Sequence, residues 1–327
     1  MAKILVTGGL GLIGHNVVAL LEQLKHTVVI TDIRTNYGII PQAELDYLMA
    51  ERLKKIRTDR IYGIDIADQG GIEWLIKTHE IDTVIHLASF PRQKVVNANP
   101  MLGSHAMSEG LLNLLEASSR NSVHKFVYVS SSMVYGNFKD TYFDGVDENH
   151  ECHPIGQYGI MKLAGEWLVR DYQRRTDMAY TILRPSAVYG PLDVEDRVIA
   201  KFMLTAMRGG VLNVNGANET LDFTYVSDAA RGVVDATLSP DTDNQTYNIT
   251  KSHSISLLDA AQLAVKIVGS GTINVKDKDE DFPSRGALNI QAARRDFNFD
   301  PQVDVEEGFR EYYEWLKDSV YWSQKTV

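Results

Sequence analysis

The chain has 327 residues, 44% of them hydrophobic, with 43 acidic against 33 basic side chains and a formal net charge of −10. Such a chain buries a large core in one big or two modest domains, and its negative balance, with no dense Lys/Arg block, excludes non-specific binding to nucleic acid. Cys152 is the only cysteine, which rules out an intrachain disulfide and a thiolate-rich metal site, and no apolar run approaches the roughly 20 residues of a membrane span.

Lys3 to Thr7 reads as a buried strand that runs into Gly8-Gly9-Leu10-Gly11-Leu12-Ile13-Gly14, after which Ile13, Val17, Leu20, Leu21 and Leu24 recur at helical spacing. The glycines therefore stand where a strand hands over to a helix N-terminus. First-turn N–H groups have no intrahelical partner and meet the positive end of the helix dipole. A pyrophosphate can settle against Leu12 and Ile13 if Gly8, Gly11 and Gly14 keep Cβ atoms out of its way. The second strand, Thr27 to Thr31, ends in Asp32, placed where a carboxylate accepts from an adenosine ribose and repels a 2′-phosphate, so NAD is expected over NADP. A core strand this close to Met1 leaves no room for a signal peptide, and a cytoplasmic protein is expected.

The alternation continues with a helix within Gln42 to Arg57, a strand from Arg60 to Ile64 ending at Asp65, and a helix over Gly71 to Thr78. A strand at Thr83 to Leu87, a helix near Met101 to Ser119 and a strand at Lys125 to Ser130 follow. Short apolar strands separated by helices predict a parallel sheet covered on both faces. That is a doubly wound, Rossmann-type α/β fold whose ligand lies beyond the carboxyl ends of the strands. A helix from Gly159 to Arg174 leads to a sixth strand, Ala179 to Leu183. From about Pro191 the elements shorten: helix Val198 to Arg208, strands Leu212 to Val214 and Asp222 to Val226, and helices near Leu257 to Val268 and Val305 to Leu316. Residues 1–190 are expected to form the dinucleotide-binding domain with the catalytic groups. Residues 191–327 are expected to form a smaller α/β substrate lobe, with sheet strands shared across the boundary. The acidic stretch Lys276 to Asp281 lacks ligand spacing and reads as a solvated loop, so no metal site is expected; Cys152, in a polar loop, reads as an inert thiol.

The chemistry gathers at two places. Ser130-Ser131-Ser132 lies just past the fifth strand, and Tyr158 and Lys162, four apart, share one face of the next helix. A tyrosine ordinarily titrates near pH 10, too high for proton transfer at neutrality, but an adjacent ammonium and a cationic nicotinamide favour its phenolate. A serine hydroxyl at the strand mouth can hold the substrate oxygen.

Together these motifs resemble the extended short-chain dehydrogenase/reductases, specifically the nucleotide-sugar epimerase/dehydratase family. The likeness runs through Thr7-Gly8-Gly9-Leu10-Gly11-Leu12-Ile13-Gly14, Asp65-Ile66, His86-Leu87-Ala88-Ser89, the serine cluster with Val134-Tyr135-Gly136, Arg184-Pro185, Val188-Tyr189-Gly190-Pro191 and Asp222-Phe223-Thr224-Tyr225-Val226-Ser227-Asp228. The resemblance implies that Tyr158 is the acid/base, Lys162 its electrostatic partner, and Ser131 the hydroxyl that holds the reacting oxygen, with Ser132 in reserve. It further implies that Asp65 and Ile66 meet adenine, that Leu87, Ala88 and Ser89 line the cofactor channel, that His86 is structural, and that the protein is a homodimer built through helices flanking the sheet.

In such enzymes hydride returned to the opposite face gives epimerisation, release of the ketone gives a dehydrogenase, and elimination before return gives a dehydratase. The family's 4,6-dehydratases carry an acidic pair after the catalytic hydroxyl residue, and its 3,5-epimerising members a cysteine in the second of those positions. Here Ser132 and Met133 stand there. The expected activity is therefore NAD-dependent epimerisation of a nucleotide sugar at one carbinol carbon. The alternative is a dehydrogenase or reductase of a sugar, sugar acid or other small hydroxylated compound, and the intact Ser131, Tyr158 and Lys162 set argues against a non-catalytic sensor. Two departures bear on the substrate: Ala187 and Leu221 replace an asparagine and an arginine that reach the nucleotide diphosphate in many members. Arg92, Lys94, Arg197, Lys201 and Arg285 are the candidate cations for a substrate anion.

Overall fold

Seven strands build one parallel sheet in the computed structural model, which describes every residue except 37, 39, 91, 139–144 and 324–327. They are β1 (Lys3–Thr7), β2 (Thr27–Thr31), β3 (Ile61–Tyr62), β4 (Thr83–His86), β5 (Lys125–Val129), β6 (Ala179–Pro185) and β7 (Gln245–Ile249), in the order β7-β6-β5-β4-β1-β2-β3. Successive side chains of a strand leave opposite faces, and here both faces are covered. Ile4, Val6 and Ile30 enter one core cluster, while Leu5, Val29 and Val84 enter the other. That double burial is why these strands read as continuous apolar runs. The order reverses beside β1, so the crevice at its carboxyl end is the topological switch point where such sheets take their ligands.

Helix α1 (Leu12–Gln23) covers one face, packed against the Val226–Leu238 helix. The other face is covered by the Gln69–His79, Gly110–Arg120 and Gln157–Arg175 helices, through residues such as Leu75, Leu114 and Val169. Helix α2 (Gln42–Leu53) flanks the β2 side. The expected helix over 101–119 is broken into Pro100–Ser104, a π-helical His105–Glu109 and Gly110–Arg120. At Gly110 an added Cβ would lie 2.6 Å from Ile66 Cγ1, so the helix crosses Ile66 only on a glycine. The strand expected at 222–226 is two short pieces, Thr220–Asp222 and Thr224–Tyr225, and Val226 already opens a helix.

That helix and β7 lie beyond Pro191 in sequence but inside the large sheet's core, where Val233, Tyr247 and Ile249 join the cluster of Ile4 and Ile30. The remaining later elements surround a core of their own. Phe202 and Met203 from the Val198–Met207 helix, Ala261 from Leu257–Val268, and Phe309 and Leu316 from Val305–Asp318 meet Leu212 and Val214 of the strand pair Val211–Asn215 and Thr272–Lys276. Among the described residues no helix is long and apolar enough to cross a membrane.

Candidate active site

The glycine turn closes the carboxyl end of β1. Gly8 has φ +67, the left-handed region that favours glycine, and a Cβ there would stand 2.7 Å from the Ala88 backbone nitrogen. A Cβ on Gly14 would stand 2.2 Å from the Gly8 carbonyl oxygen. These two glycines thus let the turn, the end of β4 and α1 pack together, rather than all three clearing a path for phosphate. Gly11 stands just before α1 with, among the described residues, no side chain capping the helix and no acidic residue in its first turn, so the Leu12 and Ile13 donors suit an anion.

Asp32, at the end of β2, is held beside that turn. Its Oδ2 accepts from the Leu10 N–H at 3.0 Å and its Oδ1 from the Arg34 N–H at 2.9 Å. Beyond β3, Asp65 accepts from the Ala67 N–H at 2.9 Å and lies 3.7 Å from His105, while Ile66 is buried with its carbonyl held by Asn113 at 2.7 Å. Past β4, Leu87 N–H donates to the Thr7 carbonyl at 3.1 Å, Ala88 N–H to the Thr7 hydroxyl at 3.3 Å, and the Ser89 hydroxyl to the Phe90 carbonyl at 3.4 Å. Pro91 lies outside the described residues. An uncapped helix start, a carboxylate one strand away and a second carboxylate beyond the next strand fit a dinucleotide laid across the strand ends.

Across the crevice, Ser131 follows β5 and Tyr158 lies in the first turn of the Gln157–Arg175 helix. Ser131 lies close enough to act on the Tyr158 phenol, and its hydroxyl accepts from the Met133 N–H at 3.2 Å. Ser132 is fully buried and donates to the Ser186 hydroxyl at 3.1 Å. One turn beyond Tyr158, Lys162 Nζ donates to the Val129 carbonyl at 2.8 Å and sits 5.2 Å over the Tyr128 ring and 6.0 Å from the centre of the Tyr158 ring. Burial pushes the Tyr158 phenol upward, against the opposing pull of Arg197, Ser131 and Arg285. Burial also pushes the Lys162 amine from 10.5 down to about 7, with the Glu166 carboxylate working the other way. His86 is buried against Thr7, 2.8 Å from ring Nδ1 to hydroxyl, and burial drives it down to about 3, so at neutral pH it is an uncharged tie between β1 and β4.

Glu166 is the residue that sequence reasoning missed. It lies one further turn along the same helix face, fully buried, accepts from Ser130 at 2.7 Å, and takes two bonds from Arg184, 2.9 Å from Nε and 2.7 Å from Nη2. Its spacing of four from Lys162 was readable, but its partner on β6 was not.

The five candidate cations separate into two groups. Arg92 and Lys201 share Asp196, at 2.5 and 3.3 Å, and Lys94 pairs with Asp279 at 2.9 Å. Arg197, 3.8 Å from Asp193 and 3.4 Å from the Val188 carbonyl, and Arg285, whose buried Nε has no hydrogen-bond partner among the described residues, are the ones whose charges reach Tyr158. Cys152 is half-buried beside Val134 and Tyr135, and burial pushes its thiol up. Ala187 takes φ +35, a conformation asparagine adopts more readily than alanine, and Leu221 packs against the core of the smaller lobe.

The model of the NAD dependent epimerase/dehydratase family matches residues 4–250. A Bacillus subtilis protein described as the uncharacterized UDP-glucose epimerase YtcB is 29% identical over 94% of this chain and 95% of its own. The dTDP-D-glucose 4,6-dehydratase of Bos taurus is 26% identical over 98% of this chain and 90% of its own. The crystal structure of the Bacillus cereus UDP-glucuronic acid 4-epimerase in complex with UDP-glucuronic acid and NAD superposes with a TM-score of 0.87 at 27% identity, covering 97% of this chain and 99% of that one.

Proposed function

This chain belongs to the NAD-dependent epimerase/dehydratase family, and we propose that it is a 4-epimerase of a nucleotide sugar, inverting one carbinol carbon by removal and return of hydride. The observation that carries the proposal is the gathering of Ser131, Tyr158 and buried Lys162, whose Nζ lies 6.0 Å from the centre of the Tyr158 ring, across from the glycine turn that starts α1. Gly11, Leu12 and Ile13 would hold the pyrophosphate, Asp32 the ribose, and Asp65 and Ile66 the adenine. Bound NAD supplies the acceptor and later the donor of the hydride. Tyr158 takes the proton of the reacting hydroxyl and afterwards returns it, while Ser131 holds that oxygen throughout. The charges of Arg197 and Arg285 favour the phenolate that this step needs, and Lys162 contributes in the fraction that is protonated.

Relatives named for UDP-glucose and UDP-glucuronate support a nucleotide sugar as the small-molecule partner, with Arg197 and Arg285 as its anion contacts. Ser132 and Met133, in the positions of the dehydratase acidic pair, speak against elimination. The second reading, a net dehydrogenase or reductase of a sugar or sugar acid, is favoured by Ala187 and Leu221, which offer a diphosphate neither an amide nor a guanidinium. A homodimer is proposed through the Gly110–Arg120 and Gln157–Arg175 helices.

Turnover of UDP-glucose or UDP-glucuronate with the NAD-loaded enzyme separates the two readings. Epimerisation leaves the reduced-nicotinamide absorbance constant while the sugar inverts, whereas its stoichiometric rise overturns the epimerase in favour of the dehydrogenase. Tyr158→Phe is expected to cut turnover by about 10²–10⁴-fold, and full activity in that variant contradicts the assignment.

A further inference from the structure

Helix α2 carries a buried ionic cluster that the proposed chemistry does not use. Arg52, only 5% exposed, donates from Nη1 to the Leu10 carbonyl in the glycine turn at 2.9 Å and from Nη2 to the Leu192 carbonyl at 2.7 Å. Just over two turns earlier on the same face, Glu44 is fully buried and accepts from the Glu195 N–H at 2.7 Å. Asp193, also buried, stands between Arg52 and Arg197 and attracts both. Tyr312 of the Val305–Asp318 helix closes the cluster.

Ion sets buried this deeply add little stability beyond what apolar packing of equal volume achieves, whereas their directional bonds fix position. The two carbonyls that Arg52 joins belong to the two halves of the crevice. The Leu10 peptide is gripped on both sides, its N–H by Asp32 and its carbonyl by Arg52. Leu192 opens the short segment that ends at Arg197; α2 holds it at two places, Leu192 by Arg52 and Glu195 by Glu44, and within it Asp193 lies 3.8 Å from Arg197.

We infer that Arg52 is a positioning residue, which ties residues 192–197 to the cofactor turn and so aims Arg197 at the substrate beside Tyr158. The inference rests on the proposed role of Arg197 as a substrate contact. Through Arg52, the cofactor turn and the substrate loop keep one spacing, and a small shift of either is passed to the other.

The test compares Arg52→Met, Arg197→Met, their double variant and Arg52→Lys as NAD-loaded enzymes turning over a nucleotide sugar, with Leu75→Ala as a core-destabilised control on the opposite face of the sheet. Arg52→Met and Arg197→Met are each expected to raise KM about tenfold while kcat at the pH optimum changes by no more than about twofold. Both should move the acid limb of the pH–rate profile to higher pH, because Arg197→Met removes a positive charge that acts on Tyr158 and Arg52→Met lets that charge move away. The double variant should be no worse than Arg197→Met alone, because the two act through one contact. Arg52→Lys, which keeps the buried cation and one donor, should fall between wild type and Arg52→Met, and it carries the test if the methionine variant does not fold. A double variant showing the product of the two single losses overturns the inference. So does a Leu75→Ala enzyme with the same rise in KM and shift of the acid limb. An unchanged KM in Arg197→Met instead overturns the reading of Arg197, and a raised KM there with normal Arg52 variants overturns only the inference.

Discussion

Lys162 is a cation placed where a cation is expensive. It is 3% exposed, its ammonium is satisfied by one carbonyl and the face of Tyr128, and burial lowers it from 10.5 to about 7. Between those two values the folded protein binds fewer protons than the unfolded chain, so stability rises with pH through that window. The contribution is complete above 10.5 and is lost as pH falls through 7. Lys162→Met should therefore cost about 10²–10⁴-fold in turnover and yet melt no lower than wild type at pH 7, with its advantage shrinking as the pH is raised. Turnover assays and thermal melts across pH check this; a lower melting temperature at pH 7 would show that the Val129 bond outweighs the buried charge. The pairing of Tyr158 with Lys162 was legible from a spacing of four alone. Glu166, Arg52 and the nearness of Arg197 to Tyr158 were not, since each depends on a partner from a distant strand or loop.

The turn from β1 into α1 is the element most fully readable from sequence, because strand, glycines and helix are consecutive. Even there the division of labour needed the fold: a Cβ on Gly8 or Gly14 would run into neighbouring backbone at 2.7 and 2.2 Å, while Gly11 stands at the helix start. β7 escaped notice for a physical reason. Gln245-Thr246-Tyr247-Asn248-Ile249 carries two amide side chains, and its buried Asn248 is tolerated only because Tyr135, Val146 and Asn289 satisfy it. The proposed dimer also belongs to this scale. The adjoining Gly110–Arg120 and Gln157–Arg175 helices leave Leu112, Ile160 and Trp167 exposed, Trp167 at 65%, as an apolar face of the kind that pairs with a second copy. Light scattering should give twice the chain mass for wild type and a monomer for Trp167→Glu; a monomeric wild type refutes the interface.

The whole molecule sets one large parallel sheet against a smaller core, with the crevice between carboxylate-tipped strands on one side and Arg197 and Arg285 on the other. The parallel sheet and its cofactor edge were legible because buried strands and crossover helices repeat. The return of the Val226–Leu238 helix and β7 to that sheet, after a stretch that builds the smaller core, was not, since no local pattern records which core a helix joins. What the molecule is proposed to do is move one hydride away from a carbon and back to it. A nucleotide sugar deuterated at the reacting carbon and turned over in ordinary water by the NAD-loaded enzyme tests that directly. The account predicts an inverted product that keeps its deuterium at the same carbon; deuterium lost to solvent, or retained only in an accumulating reduced nicotinamide, would contradict it.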